Sequence, residues 1–284
     1  MTVDKPWGRE VWYSGVEERG ESGVRTDSGI EPLSGYLGAR GRTDPVVLLK
    51  ALEPTRGDLY LEVHETKSEV YVVDRVEPEP GRMLLGTCSA RRKALGDDGF
   101  RGALLEAARQ AESGATSLEP VQAFMNVVEL RPGDVVSIPP HVPHSLLQGV
   151  HVIEFQTPAF ERKILAASQP VVNQHGWDSA AAAAIIDLAD TPEVVPRGRE
   201  AEQVFAMPGF KVTRLRLDAG SSFAVPAWSV GWIAAGGLQG VGCEFASRSA
   251  FLAPEATTLR AVEEAEVLLG VDSPDDRLGQ RHGA

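Results

Sequence analysis

Residues 59–73 read Leu59-Tyr60-Leu61-Glu62-Val63-His64-Glu65-Thr66-Lys67-Ser68-Glu69-Val70-Tyr71-Val72-Val73. Two β-rich pieces, Leu59 to His64 and Val70 to Val73, flank the polar break Glu65-Thr66-Lys67, so the segment predicts two strands joined by a tight turn. Glu62 and His64 stand two apart in the first strand, which puts both side chains on one face. Glu69 opens the second strand, where antiparallel pairing carries it back beside His64. Further along, His144 follows Ile138-Pro139-Pro140-His141-Val142-Pro143 at the start of another predicted strand. Imidazole and carboxylate ligands without sulfur suit zinc, manganese or ferrous iron. Taken singly, each residue is more often a satisfied or solvent-facing side chain. The shared parity of Glu62 and His64, the turn before Glu69 and the prolines framing His144 favour one divalent metal site made of Glu62, His64, Glu69 and His144.

Working outward, Val46 to Leu52 precedes this pair of strands, and a second group follows at Ala123 to Leu130, Asp134 to Ile138, His144 to Leu147 and His151 to Gln156. Short strands so close together predict a sandwich or barrel. Between the groups, residues 76–122 change character, and Leu104, Leu105 and Ala108 predict an amphipathic helix over Phe100 to Glu112, so this stretch reads as a helical insertion. Ala180 to Ala189 predicts a further helix, followed by the linker-like Asp190-Thr191-Pro192-Glu193-Val194-Val195-Pro196. A third strand-rich block, Gln203 to Val271, contains no histidine and so cannot repeat a site with the same ligand types. The expected organisation is mainly β, with a metal-binding domain over 1–190 and a smaller, degenerate β-domain over 191–284.

Composition narrows the function classes. The chain has 284 residues, 43% of them hydrophobic, enough for a sizeable core. Its 40 acidic and 28 basic side chains give a formal net charge of −12, which disfavours nucleic acid and anionic membrane surfaces as partners. Two cysteines, Cys88 and Cys243, in no CxxC pattern suggest neither a disulfide framework nor a thiolate site, and read as buried small hydrophobes. No apolar signal region opens the chain and its longest low-polarity run is too short to span a bilayer, so a soluble, cytoplasmic protein is expected.

Three segments resemble the cupins, and within them the type I mannose-6-phosphate isomerases. Lys5-Pro6-Trp7-Gly8-Arg9-Glu10 is similar to that family's opening Pro-Trp-Gly motif. Glu62-Val63-His64 with Lys67-Ser68-Glu69-Val70-Tyr71 is similar to its Gln-x-His and Lys-Thr-Glu-x-x-Tyr stretches. Pro132-Gly133-Asp134 through Ile138-Pro139 to His144 is similar to its Pro-Gly-Asp segment, and Glu154-Phe155-Gln156 continues the match. The resemblance implies two cupin-type jelly-roll domains, a single divalent metal, zinc first with manganese or iron as alternatives, and ligands at Glu62, His64, Glu69 and His144. It also places Lys67 and Arg162 near a sugar or sugar phosphate, although Arg162 also reads as an exposed surface cation.

Glu154 and Gln156 share a strand face taken as the barrel interior, whereas His151 has the opposite parity and is expected to face outward. Trp7 and Trp12 either pack on a sugar face or plug the barrel. The catalytic candidates are therefore Lys67, Glu154 and Arg162, and the substrate-binding candidates Trp7, Tyr60 and Gln156.

The sequence departs from the family in three places. Glu62 stands where the family has a neutral glutamine, which lowers the positive charge of a metal centre. Tyr60 stands where the family has a serine associated with the phosphate end of its substrate, and the connection between the histidine and glutamate ligands has shrunk to residues 65–68. The resemblance implies interconversion of mannose 6-phosphate and fructose 6-phosphate. A non-catalytic sugar-binding or regulatory cupin and, behind it, a cupin oxygenase are the alternatives.

Overall fold

A computed structural model describes residues 1–17, 20–43, 47–188, 192–198 and 200–273. Strands dominate, and every strand pair is antiparallel. The first block is built on two sheets. One runs, in spatial order, Thr2–Lys5, Gly8–Trp12, Leu48–Glu53, Val150–Gln156, Glu69–Val76, Val135–Ile138 and Val194–Val195; the other runs Met125–Leu130, Gly81–Thr87, His144–Leu146, Leu61–Val63 and Lys163–Ala166. Trp7, Tyr71, Met83, Leu85, Val136 and Val152 pack between them.

The central strands of the larger sheet are buried on both faces, which explains why they read as apolar runs rather than alternating ones. In Val150–Gln156, Val150 and Val152 join the interior core while Ile153 and Phe155 point the other way. That opposite face meets the second block, whose sheet runs Glu202–Met207, Gly209–Leu217, Ala265–Ser273, Ser229–Ala235 and Ser249–Ala253. Phe155, Phe205, Phe210 and Trp232 form this shared core, and Phe155 lies so close to Gly270 that a Cβ there would sit 2.8 Å from its ring. At the edge, Arg248 grips Asp74 through two 2.8 Å bonds. A second sheet, Ser222–Val225, Thr257–Ala261, Leu238–Gly240 and Cys243–Phe245, closes the C-terminal sandwich over a core of its own.

Several expectations need correcting. Residues 76–122 are not a purely helical insertion: Gly81–Thr87 is a strand of the smaller sheet, hidden in the sequence by the flanking Pro78, Pro80 and Gly81. The helix begins at Ser89 rather than Phe100, with a break in helical geometry at Gly96 (φ 69°). Phe100, Leu104 and Ala108, four residues apart, are the positions it buries against the outside of the smaller sheet, with Leu105 only partly covered. The short Glu119–Gln122 helix leads back into the strands.

The Ala-rich helix spans Ser179–Ile185; Ala189 and the expected boundary at 190–191 lie outside the described residues. Val194–Val195 pairs with Val135–Ile138 and so extends the sheet of the first block. His151 does lie on the face opposite Glu154, but it is only 4% exposed and accepts a bond from Arg75 at 3.2 Å. Cys88 is half-buried and Cys243 exposed, because Cys88 precedes a helix and Cys243 sits on an edge strand. Among the described residues no helix is long and apolar enough to cross a membrane.

Candidate metal centre

The interior faces of both sheets carry the charged residues. On the smaller sheet, Glu62 pairs directly with His144, which brings residues from distant parts of the sequence into register. On the larger sheet, Glu69 pairs with Gln156 and Ile138, and Glu154 pairs with Lys50 on one side and Tyr71 on the other. Glu62, His64 and His144 each present a ligand atom, all within 4.8 Å of one another. Glu69 touches both rings, at 3.5 Å from His64 Nε2 and 3.0 Å from His144 Nε2, and is also held by Lys67 at 2.6 Å.

The histidine tautomers follow from their far nitrogens. His64 Nδ1 donates to the Glu161 carbonyl and His144 Nδ1 to the Val142 carbonyl, each at 3.0 Å. A neutral imidazole with its proton on Nδ1 carries its lone pair on Nε2, facing the cluster. His64 Nε2, His144 Nε2 and both Glu69 oxygens are buried without an aligned hydrogen-bond partner. Buried polar atoms of this kind ordinarily find partners. Lone pairs and carboxylate oxygens converging in one place are the donor set a divalent cation takes, so the residues fit the expected metal.

Electrostatics separates the carboxylates into two kinds. Burial disfavours the charge on Glu62 and Glu69, but His64 and Lys67 around Glu62, and Lys67 with both histidines around Glu69, outweigh it and hold both carboxyls well below the usual range. Burial also opposes charge on Lys67, but the surrounding carboxylates, Glu69 foremost, raise it. His64 is lowered by burial and by Lys67, whereas at His144 the Glu69 carboxylate overcomes burial and raises it.

Glu154 is the exception: burial, then the proximity of Glu69, push it up to about 8 despite Lys50 at 3.7 Å. Two ionised carboxylates and one protonatable carboxyl thus share one chamber. The linkage gives a testable sign. In metal-free protein Glu154 takes up a proton on folding, so stability falls as pH rises from the unfolded value of 4.5 to about 8 and is flat above it. Chemical denaturation of metal-free protein across that window should show this slope, and Glu154→Gln should lack it; an unchanged slope in the variant sinks the assignment.

The cluster opens into a cavity of about 830 Å³ lined by Trp7, Tyr60, Glu62, Lys67, Glu69, Glu154, Gln156 and Arg162, so the structure gathers the residues singled out in the sequence. Trp7 and Trp12 are each only 2% exposed. Trp12 stacks on Phe160 with ring centroids 5.6 Å apart, so the two tryptophans both close the barrel and form cavity wall. Tyr60 donates to the Pro170 carbonyl at 2.8 Å and accepts from Val172 N at 3.3 Å. Arg162 is not a free surface cation: it lies over the Tyr60 ring and donates to Gln174 Oε1 and the Val172 carbonyl.

Sequence reasoning missed Lys50 and Glu161. Lys50 donates to Gln156 Oε1 at 2.6 Å and faces Glu154, and its signal was a single lysine within an apolar strand. Glu161 Oε1 accepts from the backbone N–H groups of Glu65, Thr66 and Lys67, an arrangement with no local sequence signature.

The structure is a cupin-like antiparallel β-fold with a carboxylate–histidine cluster between the two sheets of its first block. Its fold is that of the type I mannose-6-phosphate isomerases. The mannose 6-phosphate isomerase of Bacillus subtilis superposes with a TM-score of 0.70 at 15% identity, covering 95% of this chain and 97% of that one. A zinc-bound holo mannose 6-phosphate isomerase superposes at 0.61 and 14% identity, over 93% and 90% of the two chains. The apo enzyme of Salmonella typhimurium gives 0.60 and 14%, again over 93% and 90%. No family model and no curated protein sequence matches the chain.

Proposed function

We propose that this protein is a metal-dependent aldose–ketose isomerase of the mannose-6-phosphate isomerase type, with Glu62, His64, Glu69 and His144 as ligands of one divalent ion, zinc in first place and manganese or iron as alternatives. The observation that carries the reading is a set of three mutually close ligand atoms, from Glu62, His64 and His144, beside a cavity lined by Glu62 together with Glu69, Lys67 and the buried Glu154. The shared fold supports it.

When bound, the ion would polarise the substrate's carbonyl and hydroxyl oxygens. The side chains supply the rest. The carbonyls of Glu161 and Val142 hold the two imidazoles in the tautomer that turns Nε2 inward. Glu154, buried at the cavity wall, would as a carboxylate remove the proton from the hydroxyl-bearing carbon beside the carbonyl and return it to the carbonyl carbon, while the hydroxyl proton passes from one sugar oxygen to the other. Lys67 offsets negative charge developing on the sugar oxygens, and the buried aromatic wall excludes water. Arg162, steadied by Gln174 and Val172, orients the far end of the sugar.

Incubating metal-loaded protein with mannose 6-phosphate and with free aldoses, and following ketose formation, tests this. Normal metal content without turnover of any of them sinks the isomerase reading. A sugar-binding cupin without turnover is the second reading, favoured by Glu62, whose extra negative charge weakens a bound ion as a Lewis acid. Glu62→Gln separates the two: a rise in turnover with metal retained supports catalysis, and binding with no turnover in either form supports the alternative.

A further inference from the structure

We propose that the cavity takes an uncharged polyhydroxy substrate, a free aldose, rather than a sugar phosphate; the inference rests on the isomerase reading of the same site and narrows it. Four cationic and five acidic side chains line the cavity. The cations already have partners. Lys5 lies 3.5 Å from Glu10, Lys50 bonds Gln156 and faces Glu154, and Lys67 is held by Glu69 at 2.6 Å. Arg162 commits its inner donors, Nε and one terminal nitrogen, to Gln174 and the Val172 carbonyl, which leaves only the outer N–H groups of the guanidinium for a ligand.

Backbone amides are the other means of holding a phosphate, because successive N–H groups of a turn form an anion-binding concavity. The turn at Glu65, Thr66 and Lys67 makes one beside the cavity, and the chain's own carboxylate fills it. Glu161 Oε1 accepts all three N–H groups at 2.7, 2.7 and 3.1 Å. Beyond those outer N–H groups of Arg162, a phosphate would gain donors only by displacing this internal anion or breaking existing ion pairs. It would also enter a chain of net charge −12. An uncharged sugar meets none of these costs. Trp7 and the Trp12–Phe160 stack give its C–H faces an apolar wall, and the carboxylates accept from its hydroxyls.

The test is calorimetry and turnover of the metal-loaded protein with matched pairs, free aldoses beside their terminal phosphates, with inorganic phosphate as competitor. The expected result is that at least one free aldose binds at least as tightly as its phosphate, and that inorganic phosphate leaves its affinity unchanged. Glu161→Gln, which removes the internal anion, should make inorganic phosphate a competitor. Phosphates binding more than about tenfold tighter than their free sugars, or no free aldose binding at all, overturns the proposal. Binding of a free aldose without isomerisation would instead defeat the isomerase reading and leave this one standing, and efficient isomerisation of a phosphate alone would do the reverse.

Discussion

His144→Ala is expected to strip the protein of its metal and, on the proposed isomerase reading, to lower turnover by on the order of a thousandfold or more, the loss that follows when several kcal/mol of charge stabilisation disappear. His144 is buried, its Nδ1 is fixed by Val142, and its Nε2 faces Glu62, His64 and Glu69. Elemental analysis of protein as purified should return about one equivalent of zinc, manganese or iron for the wild type and close to none for the variant. His64→Ala should behave alike. Full metal occupancy in either variant, with the fold retained, would show that the ion lies elsewhere. Glu62→Gln provides the contrast, since it keeps an oxygen donor and removes only charge.

Phe155→Ala is expected to cost about 3–5 kcal/mol of stability, the usual range for an aromatic removed from a packed core. Phe155 is fully buried between the larger sheet of the first block and the C-terminal sheet, beside Phe205, Phe210 and Trp232 and over Gly270. The hole has little means of collapsing, because it lies between two hydrogen-bonded sheets that move only as units. Urea denaturation measures the loss, and a change under about 1 kcal/mol would mean the two blocks are not packed as described. Metal content should survive in this variant. Glu154 and Gln156 point from the opposite face of the same strand, so damage behind the sheet leaves the ligand cluster in front of it intact.

What the sequence could settle by itself was local. Glu62 and His64 share a face because strands have a period of two. The expected pairing of their strand with the one opened by Glu69 does not form: Leu61–Val63 pairs with His144–Leu146 and Lys163–Ala166 in the smaller sheet while Glu69–Val76 lies in the larger one, so Glu69 meets His64 from the facing sheet. The shared parity needs only neighbouring residues, whereas the meeting of Glu62 and His64 with Glu69 and His144 depends on sheet packing and on the long-range register of Glu62 with His144. The parity of Glu154 and Gln156 was legible for the same reason. Gly81–Thr87 was not legible as a strand, since its turn residues masked a short apolar run whose partners, Met125–Leu130 and His144–Leu146, come much later in the chain.

Only the tertiary structure decided which distant groups meet. Register across the larger sheet sets Lys50 opposite Glu154, and the fold back from Lys163–Ala166 delivers Glu161 to the amides of residues 65–67. Burial then decides their charges. The same carboxyl group is held ionised at Glu62 and Glu69, where cations and imidazoles crowd it, and kept protonatable at Glu154, where desolvation outweighs a lysine farther off. Periodicity is a property of adjacent residues, whereas register, desolvation and the filling of an anion pocket depend on contacts between segments far apart in the chain. That is why Glu62, His64, Glu69 and His144 could be picked out in the sequence as candidates, while the pairing of the charges that line their cavity could be read only from the folded chain.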